Sequence, residues 1–263
     1  MPVLFETRGH AAILTLSRPE ARNAWGDDFN EGLKTLLQQA EHDHGIRCVI
    51  LTGDEKGGAF SAGANLANAA THTVSSPADF ITGEIPAKRN FVANLLTDFA
   101  KPVIAAVNGY AVGIGCIATY SCDLIVASER AEWRLPQVRL GILPAYGGAP
   151  RLARWVGKGN AMRAALGYSI DATEAYRIGL AQWLVPHEQL MEQALKIADD
   201  IAAMPPLAAR LVKESLTKGL DIPNIRDASE ADTYRFMVLS MTEDAKESHR
   251  AWREKRKPSI QGK

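Results

Sequence analysis

The 263-residue chain balances 30 basic against 30 acidic residues, so its charge gives no reason to expect nucleic acid or an anionic membrane as the main partner. With 46% hydrophobic and 23% charged residues, it has the composition of an ordinary soluble protein, long enough for one large domain or two small ones. Cys48, Cys116 and Cys122 lack metal spacing, and there is neither a basic-then-apolar leader nor an uncharged apolar window of roughly 18 residues; these features predict reduced thiols and a cytoplasmic protein.

In chain order, "HAAILTLS" (10–17), "IRCVILTG" (46–53), "KPVIAAVNG" (101–109) and "CDLIVAS" (122–128) are β-branched runs bounded by Gly, Pro or polar residues, the pattern of buried strands. Between the first two, Phe29, Leu33, Leu36, Leu37 and Ala40 recur at helical spacing behind Asp27 and Asp28. Strand, helix and strand in that order predict a right-handed crossover and a parallel sheet. Beyond about residue 187 the strand signals stop and four amphipathic helical segments follow, ending in the basic run "REKRKPSIQGK", which reads as a solvated tail. The segment 67–86 is the longest without a periodic pattern, and connections of that length commonly carry function.

Two Gly/Ala-rich stretches stand out, "GGAFSAGANL" (57–66) and "NGYAVGIG" (108–115), each following a predicted strand. Read as turns, they fall at the carboxyl edge of a parallel sheet, where backbone N–H groups from both can converge on one ligand oxygen. "GIGCIA" (113–118) matches the outline of a dinucleotide fingerprint. However, its first glycine lies too far beyond the strand, and the segment before Cys122 is short for a crossover helix. His42 and His44 stand two apart and do not share a helix face, so no metal site is expected. Asp123 reads as structural, and Arg139 as a possible partner for a substrate carboxylate.

Taken together, "LSRPEARNAW", "VILTGDEKGGAFSAGANL", "KPVIAAVNGYAVGIGC", "CDLIVASERAEWRLPQVRLGILPAYGG", "RLARWVGKGNAM", "ATEAYRIGLAQWLVP" and "EKRKPSI" resemble the crotonase (enoyl-CoA hydratase/isomerase) superfamily over nearly the whole chain. The resemblance implies an α/β fold, a spiral of ββα units with a C-terminal helical portion. It divides the chain into a CoA-thioester-binding core (1–200) and a helical region (201–263) that serves trimerisation and completes the CoA site. The implied partners are an acyl-CoA thioester and further copies of the chain, as a homotrimer or dimer of trimers. No nucleic acid, membrane, metal or cofactor is expected beyond the coenzyme A of the substrate.

By position, the resemblance assigns the two enolate-stabilising N–H groups to Ala64 and Ile114, an isoleucine where the family usually has glycine. It places coenzyme A contacts at Arg22, Ala24, Ala62, Asn65 and Leu66, with Asn65 where aspartate is frequent. The two glutamates that family hydratases use fall here on Ile117 and Gln137, neither of which takes a proton near neutral pH. Tyr146, Glu84, Asp79 and His72 are the remaining candidates for chemistry, each also readable as structural or solvated. The implied activity is that of a lyase or isomerase acting on CoA thioesters by isomerisation, decarboxylation or hydrolysis rather than standard hydration. Two alternatives stand beside it: a hydratase with its acid/base moved to Glu84 or Tyr146, and a non-catalytic protein that binds acyl-CoA, RNA or protein.

Overall fold

The computed structural model describes residues 2–65, 78 and 91–263. Two sheets organise it. The larger runs in the order β1 (Val3–Arg8), β2 (Ala11–Leu16), β3 (Cys48–Gly53), β5 (Val103–Val107), β7 (Leu124–Ser128), β10 (Trp183–Val185). The smaller comprises β4 (Ala59–Ser61), β6 (Tyr110–Val112), β8 (Glu132–Arg134) and β9 (Ile170–Asp171). β1 pairs antiparallel with β2, and every later neighbour in the large sheet is parallel. The predicted crossover is α1 (Asp27–His42), which buries Phe29, Leu33, Leu36, Leu37 and Ala40.

The second sheet explains the Gly/Ala-rich stretches. Each was expected to be a turn, and each contains a short strand. β3 leads through Asp54–Gly58 into β4, β5 through Asn108–Gly109 into β6, and β7 through Glu129–Ala131 into β8. Helices then return the chain: α2 (Phe91–Asp98), α3 (Ile114–Thr119) and α4 (Gly148–Ala165), before α5 (Ala172–Arg177). The repeating unit is therefore strand, strand, helix. "GIGCIA" opens the six-residue α3 from a strand of the small sheet, which removes the dinucleotide reading.

β3 is buried at every position because both faces of the large sheet are covered. One face contributes Leu14, Leu51, Ala105 and Ile125 to a core shared with α1 and the small sheet. On the other, Ile13, Ile50, Ile104 and Val126 pack against Leu190, Ala194, Ile197 and Ala198 of α6 (Leu190–Ala202). The three thiols are buried, and burial pushes the Cys48 thiol up to about 12. At the carboxyl edge, four strand exits are tied together. His187 Nδ1 lies 2.9 Å from Ser128 Oγ and its Nε2 meets Glu55 Oε1. Asn108 Nδ2 donates to Gly53 O (3.0 Å) and Glu55 Oε2 (3.3 Å), while Arg130 N–H donates to Ser128 Oγ (3.1 Å).

Three further helices follow: α7 (Pro206–Gly219), α8 (Ile225–Ser240) and α9 (Glu243–Arg253). Lys213 of α7 is buried and reaches Asp123 Oδ2 (2.8 Å), Leu96 O (3.2 Å) and Lys101 O (3.1 Å). Asp123 also accepts Val103 N–H (2.7 Å), which fixes it as structural. Burial raises its carboxyl above the usual range against the opposing pull of Lys213. Among the described residues, no helix is long and apolar enough to cross a membrane.

The basic C-terminal run is not simply a solvated tail. Its side chains are mostly exposed, but its backbone is pinned to α9. The buried Asp244 accepts Gln261 N–H (2.8 Å) and Gly262 N–H (2.7 Å), and its own N–H donates to Lys263 O (3.0 Å). Glu247 accepts from Ser259 N–H (3.1 Å) and Arg256 (Nη2 to Oε2, 3.1 Å). The Arg256 guanidinium and then the Ser259 N–H lower the Glu247 carboxyl from an ordinary 4.5 to about 2. A depressed carboxyl stabilises the docked tail above the unfolded value and loses that contribution as pH falls toward the folded one. The Ser259 amide resonance is accordingly expected to titrate as pH falls from 4.5 towards about 2, and Glu247→Gln to abolish that titration. A flat Ser259 shift across this window contradicts the pinning.

Candidate active site

The parallel pairing of β4 with β6 (Ala59 with Tyr110, Ser61 with Ala111) brings the two Gly/Ala stretches side by side. Beyond the strands, Gly63 (φ 93°) and Gly113 (φ 55°) turn in the left-handed region that side chains rarely adopt. A Cβ on Gly63 would fall 3.0 Å from Val112 O, and one on Gly113 would fall 4.0 Å from Gly63 Cα and 3.4 Å from Gln137 Nε2. Three segments of chain thus meet at two glycines, and the residues that follow those glycines are Ala64 and Ile114.

The backbone leaves both of those amides free. Ala64 forms a parallel bridge with Trp25, in which Trp25 N–H donates to Gly63 O (2.7 Å) and Asn65 N–H to Trp25 O (2.8 Å). In such a bridge the flanking peptide groups face the partner, so the N–H of Ala64 points to the other side. Ile114 is the first residue of α3, where an N–H has no acceptor within the helix. Neither amide finds an acceptor among the described residues. An oxygen that reached both would receive two donors, an arrangement worth about 3 kcal/mol per donor where negative charge develops on that oxygen.

The coenzyme A candidates lie along the same bridge. Ala62 N–H donates to Arg22 O (3.0 Å), and the segment 22–25 runs beside 62–65. Arg22 is exposed, Ala62 and Asn65 are partly buried, and Ala24 is buried. What holds this segment is Asn23, a residue the sequence reading did not single out. It is fully buried at φ 56°. Its Nδ2 donates to Asp54 O (2.9 Å) and Ala59 O (2.8 Å), while its Oδ1 accepts Arg18 N–H (3.0 Å). A second unforeseen support lies beneath α3: Trp133 Nε1 donates to Thr119 Oγ1 (2.9 Å), which donates to Cys116 O (2.7 Å). Neither has a sequence signal, since an amide and an indole in apolar company read as ordinary core.

Gln137 sits in a short 3-10 turn (Pro136–Leu140) with its Nε2 beside Gly113 and its Oε1 buried without a partner. Ile117 is buried, and a Cβ on Gly148 would fall 2.9 Å from its Cδ1, so it is packed under the start of α4. Tyr146 adopts φ 60° and packs against the main core, and its hydroxyl has no hydrogen-bond partner among the described residues. Arg139 donates to Gly167 O (3.1 Å) and is exposed. His42 caps its own helix end at Gln38 O (2.7 Å), as a solvated terminus does. Among the described residues, no group of three His, Cys, Asp or Glu could hold a metal. Leu66, His72, Asp79 and Glu84 lie outside the described residues.

Comparison with known proteins agrees with this architecture. The family model described as enoyl-CoA hydratase/isomerase matches residues 6–263. A probable enoyl-CoA hydratase of Rhizobium meliloti is 36% identical over 258 residues, covering 97% of this chain and 96% of that protein. The 2,3-dehydroadipyl-CoA hydratase of Escherichia coli is 35% identical, with 95% of each chain covered. Among solved structures, an enoyl-CoA hydratase of Bacillus anthracis superposes with a TM-score of 0.90 at 30% identity, covering 100% of both chains. With a family match over almost its full length, relatives above 30% identity and the same ββα spiral, the chain belongs to the enoyl-CoA hydratase/isomerase family.

Proposed function

We propose that the protein is an acyl-CoA-processing enzyme that holds a thioester enolate between the N–H groups of Ala64 and Ile114. The observation that carries this reading is the pair of unpartnered amides following two abutting glycine turns. Such donors act without any side-chain contribution, which accounts for small residues around Gly63 and Gly113. Arg22, Ala24, Ala62, Asn65 and Leu66 would contact the coenzyme A portion. Gln137 would orient substrate or water, because its amide does not exchange protons near neutral pH. With Ile117 apolar as well, isomerisation, decarboxylation or hydrolysis fits these residues better than hydration.

The hydratase names of the relatives favour a second reading, hydration with the acid/base moved to Tyr146 or Glu84. We also infer that 201–263 mediates assembly into a trimer or dimer of trimers, completing the coenzyme A site. The support is the set of large apolar side chains left exposed on α8 and just after it: Ile225, Phe236, Met237, Val238 and Met241.

The test incubates the full chain with enoyl-, β-keto- and malonyl-type CoA thioesters and follows products by mass. Loss of carbon dioxide, double-bond migration or thioester cleavage supports the first reading. A gain of water with coenzyme A retained supports the second. Saturable binding with no product removes both.

A further inference from the structure

We infer that Asn23 is a positioning residue: from beneath the site, through the segment 22–25, it sets the direction of the Ala64 N–H. This rests on the reading of Ala64 as a donor to the thioester oxygen. Asn23 is fully buried whereas Ala64 is exposed, so the asparagine acts through its neighbours and meets no ligand.

One peptide group carries the effect. Gly63 O accepts Trp25 N–H at 2.7 Å, and that carbonyl shares its peptide plane with the Ala64 N–H. In a trans peptide the two groups point in opposite directions, so whatever holds Trp25 aims the donor. The same bond polarises the peptide and strengthens its N–H as a donor. Ala62 N–H to Arg22 O (3.0 Å) and Asn65 N–H to Trp25 O (2.8 Å) keep the two segments in register on either side.

The segment is held by Asn23 rather than by its own backbone preference. Arg22 and Asn23 adopt φ 51° and 56°, a conformation that residues other than glycine keep only where their surroundings impose it. Asn23 N–H donates to Arg18 O (2.8 Å) while its Oδ1 accepts Arg18 N–H (3.0 Å), which closes a ring. Its Nδ2 gives one proton to Asp54 O (2.9 Å) and the other to Ala59 O (2.8 Å). Those partners lie just after β2, just after β3 and at the start of β4, so a single amide ties three segments. Because β4 runs on towards Gly63, Asn23 grips both sides of the pairing that aims Ala64. Gly57 leaves the room: a Cβ there would fall 2.7 Å from Asn23 Nδ2.

The full-length protein is titrated with butyryl-CoA isotope-labelled at its thioester carbonyl, and the bound carbonyl stretch is read by infrared difference spectroscopy. In the unaltered protein the band is expected at lower wavenumber than in water. Asn23→Gly keeps the left-handed backbone and deletes the side-chain bonds. It is expected to lose about half of that displacement, the share of one donor in two, and to weaken binding by no more than about tenfold. Gly57→Ala pushes on the amide without deleting it and should move the band the same way by less, which keeps the test open if Asn23→Gly folds poorly. Ile197→Ala, in the core on the other face of the large sheet, is the control: it should lower the melting temperature and leave the band in place. A full displacement in both Asn23→Gly and Gly57→Ala overturns the inference and leaves the donor reading of Ala64 standing. No displacement, or no binding, in the unaltered protein removes the donor reading itself, and this inference with it.

Discussion

Ile114→Pro is expected to lower turnover of the thioester substrate by about 10²–10³-fold, the effect of removing one oxyanion donor. The substitution is selective because proline is well accommodated at the first helical position, where the N–H is unpaired within the helix. It deletes the donor and leaves α3 its hydrogen bonds, including Ile117 N–H to Gly113 O (3.0 Å). Ile114→Ala shortens the side chain and keeps the N–H, so it serves as the control. The measurement is kcat and KM for the thioester identified by the product panel, alongside a thermal melt of each variant. The loss should fall mainly on kcat, because the donor matters most when negative charge reaches the oxygen. If Ile114→Pro turns over as fast as Ile114→Ala, the second donor has been misassigned.

The largest stability effect should come from Lys213→Met. Removing one member of a buried ion pair leaves the other charge uncompensated, which costs about 3–5 kcal/mol. Here the lone group is Asp123, and the variant also strips the donor from the Leu96 and Lys101 carbonyls. Chemical denaturation read by intrinsic fluorescence measures the loss. Adding Asp123→Leu should recover part of it by removing the stranded carboxylate, though not all, because Val103 N–H then loses its acceptor. A double variant less stable than Lys213→Met alone would show that the Asp123 carboxylate stabilises the fold even without its lysine.

The large sheet was legible because four of its strands are unbroken apolar runs, the signature of strands covered on both faces. β4 and β6 of the small sheet were not: each is three residues long, too short to show alternation, and lies within a stretch whose glycines announce turns, whereas the start of β8 at Glu132 does read as a half-buried strand. β1 escaped for a different reason: its burial is mostly partial or exposed beyond Val3, as befits an edge strand. At the site, Ala64 and Ile114 became visible only through family resemblance, since a free N–H leaves no mark on residue type. The orphaned oxygen of Gln137 and the three bonds of Asn23 depend on neighbours distant in sequence. Lys213 shows the same limit, because on its own helix it reads as one more solvated cation.

The fastening at the carboxyl edge has a consequence of its own. Ser128 carries a hydroxyl, which donates as readily as it accepts, and it faces one nitrogen of His187 while Glu55 faces the other. The ring accepts the hydroxyl's hydrogen bond at Nδ1 and donates its Nε2–H to the carboxylate. One imidazole thus rivets the exits of β3, β7 and β10, although β3 and β10 are not neighbours in the sheet. The frame from which both glycine turns are hung is fastened by side chains as well as by the backbone ladder.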